Sequence, residues 1–491
     1  MKKLFAVITS VLIILIAVVL FRGFNYFSDV QYQVKSPLAA VDVDSDKAVA
    51  HMSKAIQIRT ISYDDPSLLD AEAFLAFHQH LQQSFPLVHE RTQLTKVSDY
   101  SLLYFLPGSD ASLKPALFMG HMDVVPVDEA TADKWQQAPF SGAVVDNTIW
   151  GRGAIDDKVT VMALLESLEL LLAEGLAPKR GIYFAFGHDE EIGGTAGAQK
   201  IAALLQQQNV ELEFVLDEGG IIAEGLMAGV EQPVALIGVA EKGFVNFRLT
   251  VSSEGGHSSQ PPEHTAVGIL SQAIVNLEAS SFDSDLRFTQ QTFATVGAYA
   301  DLGTRLPMAN LWLLEPVVKQ VLLSGASSAA GIRTTIAPTM LKGSSKSNIL
   351  PTEAEAVVNF RIFPNDNIAS IQAHIEKVVD DPRVKISSFM ANEASTAAPT
   401  DSFGYRLIEQ SIRRLDDSIL VAPYLVLGGT DSKHFYPLSD NVYRFMMVRL
   451  NSDSLKRFHG VNEQIPVKDY LQAIQLYYAL LKQTANGESL E

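Results

Sequence analysis

At 491 residues the chain is too long for one compact core and calls for two or three domains. Its 47% apolar and 19% charged residues describe a folded body, and a formal net charge of −18 excludes nucleic acid as a partner, because phosphate binding needs clustered Lys and Arg. The chain has no cysteine, which excludes disulfides and thiolate zinc sites, so any metal must be held by His, Asp and Glu.

In chain order, Lys2 and Lys3 precede an apolar run at 4–21, broken only by Thr9 and Ser10. As a helix it spans about 27 Å, enough for a hydrocarbon core. A cleaved signal peptide is the alternative, but its apolar region is usually shorter and ends in a small-residue cleavage site. Here the run ends in Phe21, Arg22, Gly23 and Phe24. The reading is a membrane anchor at 1–24, with the body on the non-cytoplasmic side because the stronger positive flank precedes the helix. Residues 25–45 read as a polar tether.

A helical pattern follows near 49–58, and from about 102 strand-like and helix-like pieces alternate: strands at 115–119, 181–186 and 214–216, and a helix at 159–173. Such alternation predicts an α/β fold, a mostly parallel sheet flanked by helices, with the site at the carboxyl ends of its strands. From about 241 the pattern changes. Residues 244–251 and 354–362 alternate apolar and polar as half-buried strands do, and 266–277 and 368–379 read as helices. This predicts an α+β unit at 241–393 inserted into a body formed by 46–240 and 394–491.

Residues able to do chemistry gather where strand-like runs end. In Gly120-His121-Met122-Asp123, His121 can bind a metal while Asp123 orients its ring. In Gly151-Arg152-Gly153-Ala154-Ile155-Asp156-Asp157, two carboxylates precede a helix, as caps or as ligands. His188-Asp189-Glu190-Glu191 follows an apolar strand, where unpaired charge is expensive, and its adjacent glutamates suit different tasks, one holding metal and one handling protons. Of Asp217 and Glu218, one carboxylate should point into the site and one away. His257 and His459 each stand beside a glycine. Each cluster is ordinary alone. Together they form a ligand set of nitrogen and oxygen suited to zinc, cobalt or manganese, and to two metals sharing a carboxylate.

The succession Gly-His-x-Asp-Val-Val-Pro, Trp-Gly-Arg-Gly-Ala-x-Asp-Asp-Lys, Asp-Glu-Glu-x-Gly-Gly, Leu-Asp-Glu-Gly, Gly-Gly-His-Ser and His-Gly-Val-Asn-Glu resembles the zinc aminoacylase and carboxypeptidase family. Acetylornithine deacetylase and succinyl-diaminopimelate desuccinylase belong to that family. The likeness is greatest to carboxypeptidase S and its membrane-anchored or secreted N-acyl-amino-acid hydrolase relatives, and it covers about 45–485. The resemblance implies two zinc ions, replaceable by cobalt or manganese. His121, with Glu218 or Asp217, would serve one ion and Glu191 with His459 the other, with Asp156 between them. Asp123 would orient His121, Glu190 would be the general base, and His257 would stabilise an oxyanion, reaching across from a partner copy. Asn348, Arg361, Gly428, Gly429 and Thr430 match substrate-contact positions. The inserted unit would be a lid and a surface for homodimerisation. The expected activity is hydrolysis of amide bonds next to a free carboxylate, in small peptides or N-acyl amino acids. The alternatives are a specific biosynthetic deacylase and a non-catalytic amino-acid-binding relative. The other histidines, His51, His78, His80, His89, His264, His374 and His434, read as structural or surface.

Overall fold

The computed structural model describes residues 1–487. The expected α/β architecture is present. A mixed sheet runs in the order Gln93–Val97, Ser101–Leu106, Ile182–Gly187, Ala116–His121, Val215–Asp217, Val442–Arg444, Val234–Glu241, Ile222–Ala223 and Arg449–Leu450, with Leu420–Val426 pairing in parallel with Val234–Glu241. Its centre is parallel: Ala116–His121 lies between Ile182–Gly187 and Val215–Asp217. All six residues of Ala116–His121 and of Ile182–Gly187 are buried, as expected of strands covered on both faces. The helix Lys158–Ala173 is buried from Lys158 through Leu168 and packs between the sheet and the C-terminal helix Val467–Asn486, where Ser167 Oγ donates to the Ile474 carbonyl at 2.8 Å. Because the central strands are parallel, their carboxyl ends deliver His121, His188 and Asp217 to one edge of the sheet.

A second, antiparallel sheet has the order Thr335–Lys342, Glu353–Ile362, Gly243–Ser252 and Val384–Asn392. Strict alternation of burial along Gly243–Ser252 puts Val245, Phe247, Leu249 and Val251 in a separate core, under the helices Ala266–Ala279 and Ile368–Val379. Not all of 241–393 packs there. The helix Arg287–Val296 lies on the main sheet, where Thr292 Oγ1 donates to the Pro423 carbonyl at 2.7 Å. The helices Leu302–Ala309 and Leu311–Leu323 follow it, and the first packs against the N-terminal helix Lys2–Asn25.

Lys2–Asn25 is long and apolar enough to cross a membrane, and most of its length stands clear of the body. The stretch read as a tether has no helix or strand between Tyr26 and Asp44, yet it is strapped down. The buried Gln31 amide donates to the carbonyls of Thr295 and Val421, both at 3.0 Å, and accepts from the Val421 amide at 2.7 Å.

Candidate metal centre

His121 ends its strand and is buried, with Nδ1 3.0 Å from the Asp123 carbonyl and 3.4 Å from Asp123 Oδ1. That contact turns Nε2 toward Asp156 Oδ1 at 3.1 Å and Glu218 Oε1 at 4.0 Å. The Asp123 carboxylate also accepts from Ser62 Oγ at 2.7 Å and from the amides of Glu190 and Glu191 at 3.1 and 3.2 Å. One buried carboxylate thus fixes both the histidine ring and the turn that carries the two glutamates.

Asp156 stands between two imidazoles. Its Oδ1 faces His121 and its Oδ2 faces His459 Nε2 at 3.0 Å, while His459 Nε2 is also 3.0 Å from Glu191 Oε2. Two triads result, His121 with Asp156 and Glu218, and Asp156 with Glu191 and His459. In each, the donor atoms lie within 4.8 Å of one another. The His459 side chain is 56% exposed, so the centre opens to solvent on that side.

The turn bearing Asp156 and the loop bearing His459 lie 303 positions apart and are tied by residues that sequence reasoning passed over. Glu463 accepts from the amides of Ile155 and Asp156 at 2.9 and 3.2 Å and from Arg152 Nη1 at 2.6 Å. Arg152 Nη2 in turn donates to the carbonyls of His459 and Gly460 at 3.1 and 3.2 Å. Both residues stand inside the quoted motifs, Arg152 between two glycines and Glu463 after Val461 and Asn462, which was the available signal.

The donor set fits divalent cations. No lysine or arginine forms an ion pair with Asp156, Glu190, Glu191 or Glu218 among the described residues, and Glu191 Oε1 is buried without a hydrogen-bond partner. Burial pushes the carboxyls of Glu190, Glu191 and Glu218 upward. Burial acts on Asp156 in the same sense, but bonds to both histidines hold it below the usual carboxylate range. Bonds to Asp156 and Glu191 push His459 up to about 10, and bonds to Asp123 and Asp156 raise His121 against the effect of burial. Both imidazoles therefore sit where the surrounding carboxylates favour positive charge. A cation there would supply that charge while leaving the imidazoles neutral as ligands.

Of the Asp217 and Glu218 pair, Glu218 faces the centre. The Asp217 carboxylate accepts from the amides of Glu218 and Ser432 at 2.9 and 2.7 Å. The Glu190 carboxylate makes no hydrogen bond or ion pair among the described residues. His188 and Asp189 serve the scaffold: His188 Nδ1 bonds Ser101 Oγ at 2.6 Å, and Asp189 accepts from the amides of Ala196 and Gly197.

Thr430 is buried and donates through N and Oγ1 to Glu241 Oε2 at 3.1 and 3.0 Å, whereas Gly428 and Gly429 are open. Next to Thr430, Asp431 is buried with both carboxylate oxygens unpartnered, and a Cβ at Gly194 would collide with it. Nothing in the alternation of the sequence marked Asp431. His257, Asn348 and Arg361 belong to the inserted segment. His257 is exposed and bonds Ser259 Oγ at 2.7 Å, and Asn348 is exposed, its carbonyl accepting from the Ser258 amide at 3.2 Å. The Arg361 guanidinium lies over the Phe244 ring at 4.8 Å. No hydrogen bond or ion pair joins these three to the two triads among the described residues.

Residues 117–483 match the model of peptidase family M20/M25/M40. The chain is 40% identical over 439 residues to a probable carboxypeptidase S-like protein of Dictyostelium discoideum, covering 88% of this chain and 84% of that one. It is 36% identical over 487 residues to an N-fatty-acyl-amino acid synthase/hydrolase of Xenopus tropicalis, covering 98% and 94%. Among solved structures, an M20 family metallo-carboxypeptidase from Sulfolobus solfataricus superposes with a TM-score of 0.65 at 18% identity, over 89% of this chain and 99% of that one.

Proposed function

This chain belongs to peptidase family M20/M25/M40, and we propose that it is a two-metal amide hydrolase acting next to a free carboxylate, on small peptides or N-acyl amino acids. The observation that carries the reading is Asp156, whose two oxygens each face a different imidazole, each imidazole in reach of a further glutamate. His121, Asp156 and Glu218 would hold one cation, and Asp156, Glu191 and His459 the other. Zinc is the expected ion, with cobalt or manganese as substitutes.

Two cations bound there would acidify a water between them and polarise the scissile carbonyl. The remaining work falls to side chains. Asp123 keeps Nε2 of His121 aimed into the centre and holds the turn carrying Glu190. The free Glu190 carboxylate takes the proton of the attacking water and returns it to the leaving nitrogen. Arg361, Asn348 and the loop Gly428-Gly429-Thr430, whose amides are open at Gly428 and Gly429 while Thr430 is pinned to Glu241, would clamp the substrate carboxylate. His257 would stabilise the oxyanion. Its exposure supports action on the site of a second copy, with dimerisation through the inserted unit, whose edge strand Thr335–Lys342 leaves Met340 and Leu341 open. Lys2–Asn25 would be an uncleaved anchor that holds the body outside the cytoplasm; its packing against Leu302–Ala309 supports retention.

A panel of dipeptides and of N-acetyl, N-succinyl and long-chain N-acyl amino acids, with and without chelator, tests this reading. Substrates with a free carboxylate should be turned over only without chelator. Their C-amidated forms should show kcat/KM lower by about 10–100-fold, the worth of a charge-assisted bond. Equal turnover of the amidated forms would remove the carboxylate clamp.

A further inference from the structure

The helix Leu311–Leu323 is apolar nearly all round. Val318, with Leu311, Leu322 and Leu323 beside it, joins a core cluster with Met308 and Ile332. The opposite face presents Trp312, Leu313, Pro316, Val317, Gln320 and Val321 and carries no charge. Trp312 is 57% exposed, Val317 54% and Val321 64%. The two charged side chains of the helix, Glu315 and Lys319, lie to the side and pair with each other at 2.7 Å. A helix facing water carries polar and charged residues across its outer face, and this one has only Gln320 there.

Its attachment indicates what covers that face. The preceding helix Leu302–Ala309 docks on the end of Lys2–Asn25, so closely that a Cβ at Gly23 would collide with Leu306. Arg22 Nε donates to the Ala309 carbonyl at 3.0 Å, and Asn310 Nδ2 donates to the Val19 carbonyl at 3.0 Å. From Leu306 to Asn310 the contact therefore moves from Gly23 to Val19, back into the apolar run. Val19 lies two residues inside Phe21, about 3 Å along the helix axis. Leu311–Leu323 thus begins at the level where the anchor enters hydrocarbon, and Trp312 stands where tryptophan is enriched in membrane proteins. The strap at Gln31 keeps the body from drifting off this contact.

We propose that Leu311–Leu323 is an interfacial membrane helix. It lies in the surface of the bilayer that Lys2–Asn25 spans, with Trp312, Leu313, Val317 and Val321 among the acyl chains, and fixes the hydrolase body against the membrane. The inference rests on the anchor reading and is independent of the hydrolytic one.

The absence of cysteine makes the test clean, since each of Leu313→Cys, Val317→Cys and Val321→Cys creates a single thiol. The full chain, spin-labelled there and reconstituted in phosphatidylcholine vesicles, is exposed to oxygen, which partitions into lipid, and to a water-soluble nickel chelate. Leu75→Cys, on an exposed face of the body, reports water, and Val11→Cys reports hydrocarbon. The expected result is oxygen-rich, nickel-poor collision at all three helix positions, as at Val11 and unlike Leu75. Collision like that of Leu75, with Val11 in lipid, overturns the proposal and leaves the anchor intact. Exclusion of both reagents, as under a second copy of the chain, also overturns it. Val11 in water removes the anchor and this helix's role together, without touching the hydrolytic reading.

Discussion

Replacing Glu190 by Gln should lower kcat by about 10²–10⁴-fold, the usual worth of a positioned general base, with metal content and melting temperature unchanged. The argument is one of partners. The Glu190 carboxylate bonds nothing among the described residues and belongs to neither triad, so an amide of the same shape leaves no group orphaned. The contact that positions the residue, from its backbone amide to Asp123, survives the change. Glu191→Gln is the contrast. It alters a donor set, and its loss of turnover should come with loss of metal. Turnover undiminished in Glu190→Gln would take the proton-transfer role away from this residue.

Replacing Arg444 by Met should destabilise the fold by about 3–5 kcal/mol, because it strands a buried carboxylate. Arg444 and Glu241 are buried essentially completely, with Nε 3.0 Å from Glu241 Oε2. Nη2 also donates to Tyr436 Oη at 2.7 Å. Glu241 Oε2 is the atom that anchors Thr430 through its amide and hydroxyl. The substitution should lower the thermal midpoint by roughly 3–5 °C and raise KM, since the loop at Gly428 and Gly429 loses its fixed end. The double variant Arg444→Met with Glu241→Gln removes the stranded charge and should recover part of the stability but not the KM. A single variant as stable as the parent would show that the pair does not hold this loop.

How far the sequence spoke depended on range. The strand ends were legible because burial on both faces makes a continuous apolar run, and the polar residues that interrupt it at His121, His188 and Asp217 are conspicuous. The alternation at Gly243–Ser252 was legible for the complementary reason, one covered face and one wetter. Partnerships across the chain were not. Arg152 with Glu463 and Glu241 with Arg444 join segments distant in sequence whose proximity depends on strand pairing across the fold, and each residue alone looks like surface charge. Adjacent Asp217 and Glu218 could not be told apart because neighbouring side chains differ in direction, and only Ser432, brought in from a distant loop, shows which carboxylate is already engaged. The helix Leu311–Leu323 escaped because it is apolar on most sides and its one-sided period is weak, the same property that suits it to a bilayer. The tether looked free because its holds on the body are scattered contacts without an element of their own, Gln31 with Thr295 and Val421, and Ser36 and Leu38 with Arg414.

The most direct test of the account is the metal content of the purified full chain, set beside that of Asp156→Ala. The carboxylate shared by the two triads predicts two divalent ions per chain in the parent and neither in the variant, with hydrolysis lost in step. A parent that turns over substrate with no stoichiometric metal, or an Asp156→Ala protein that still holds both ions, would contradict it.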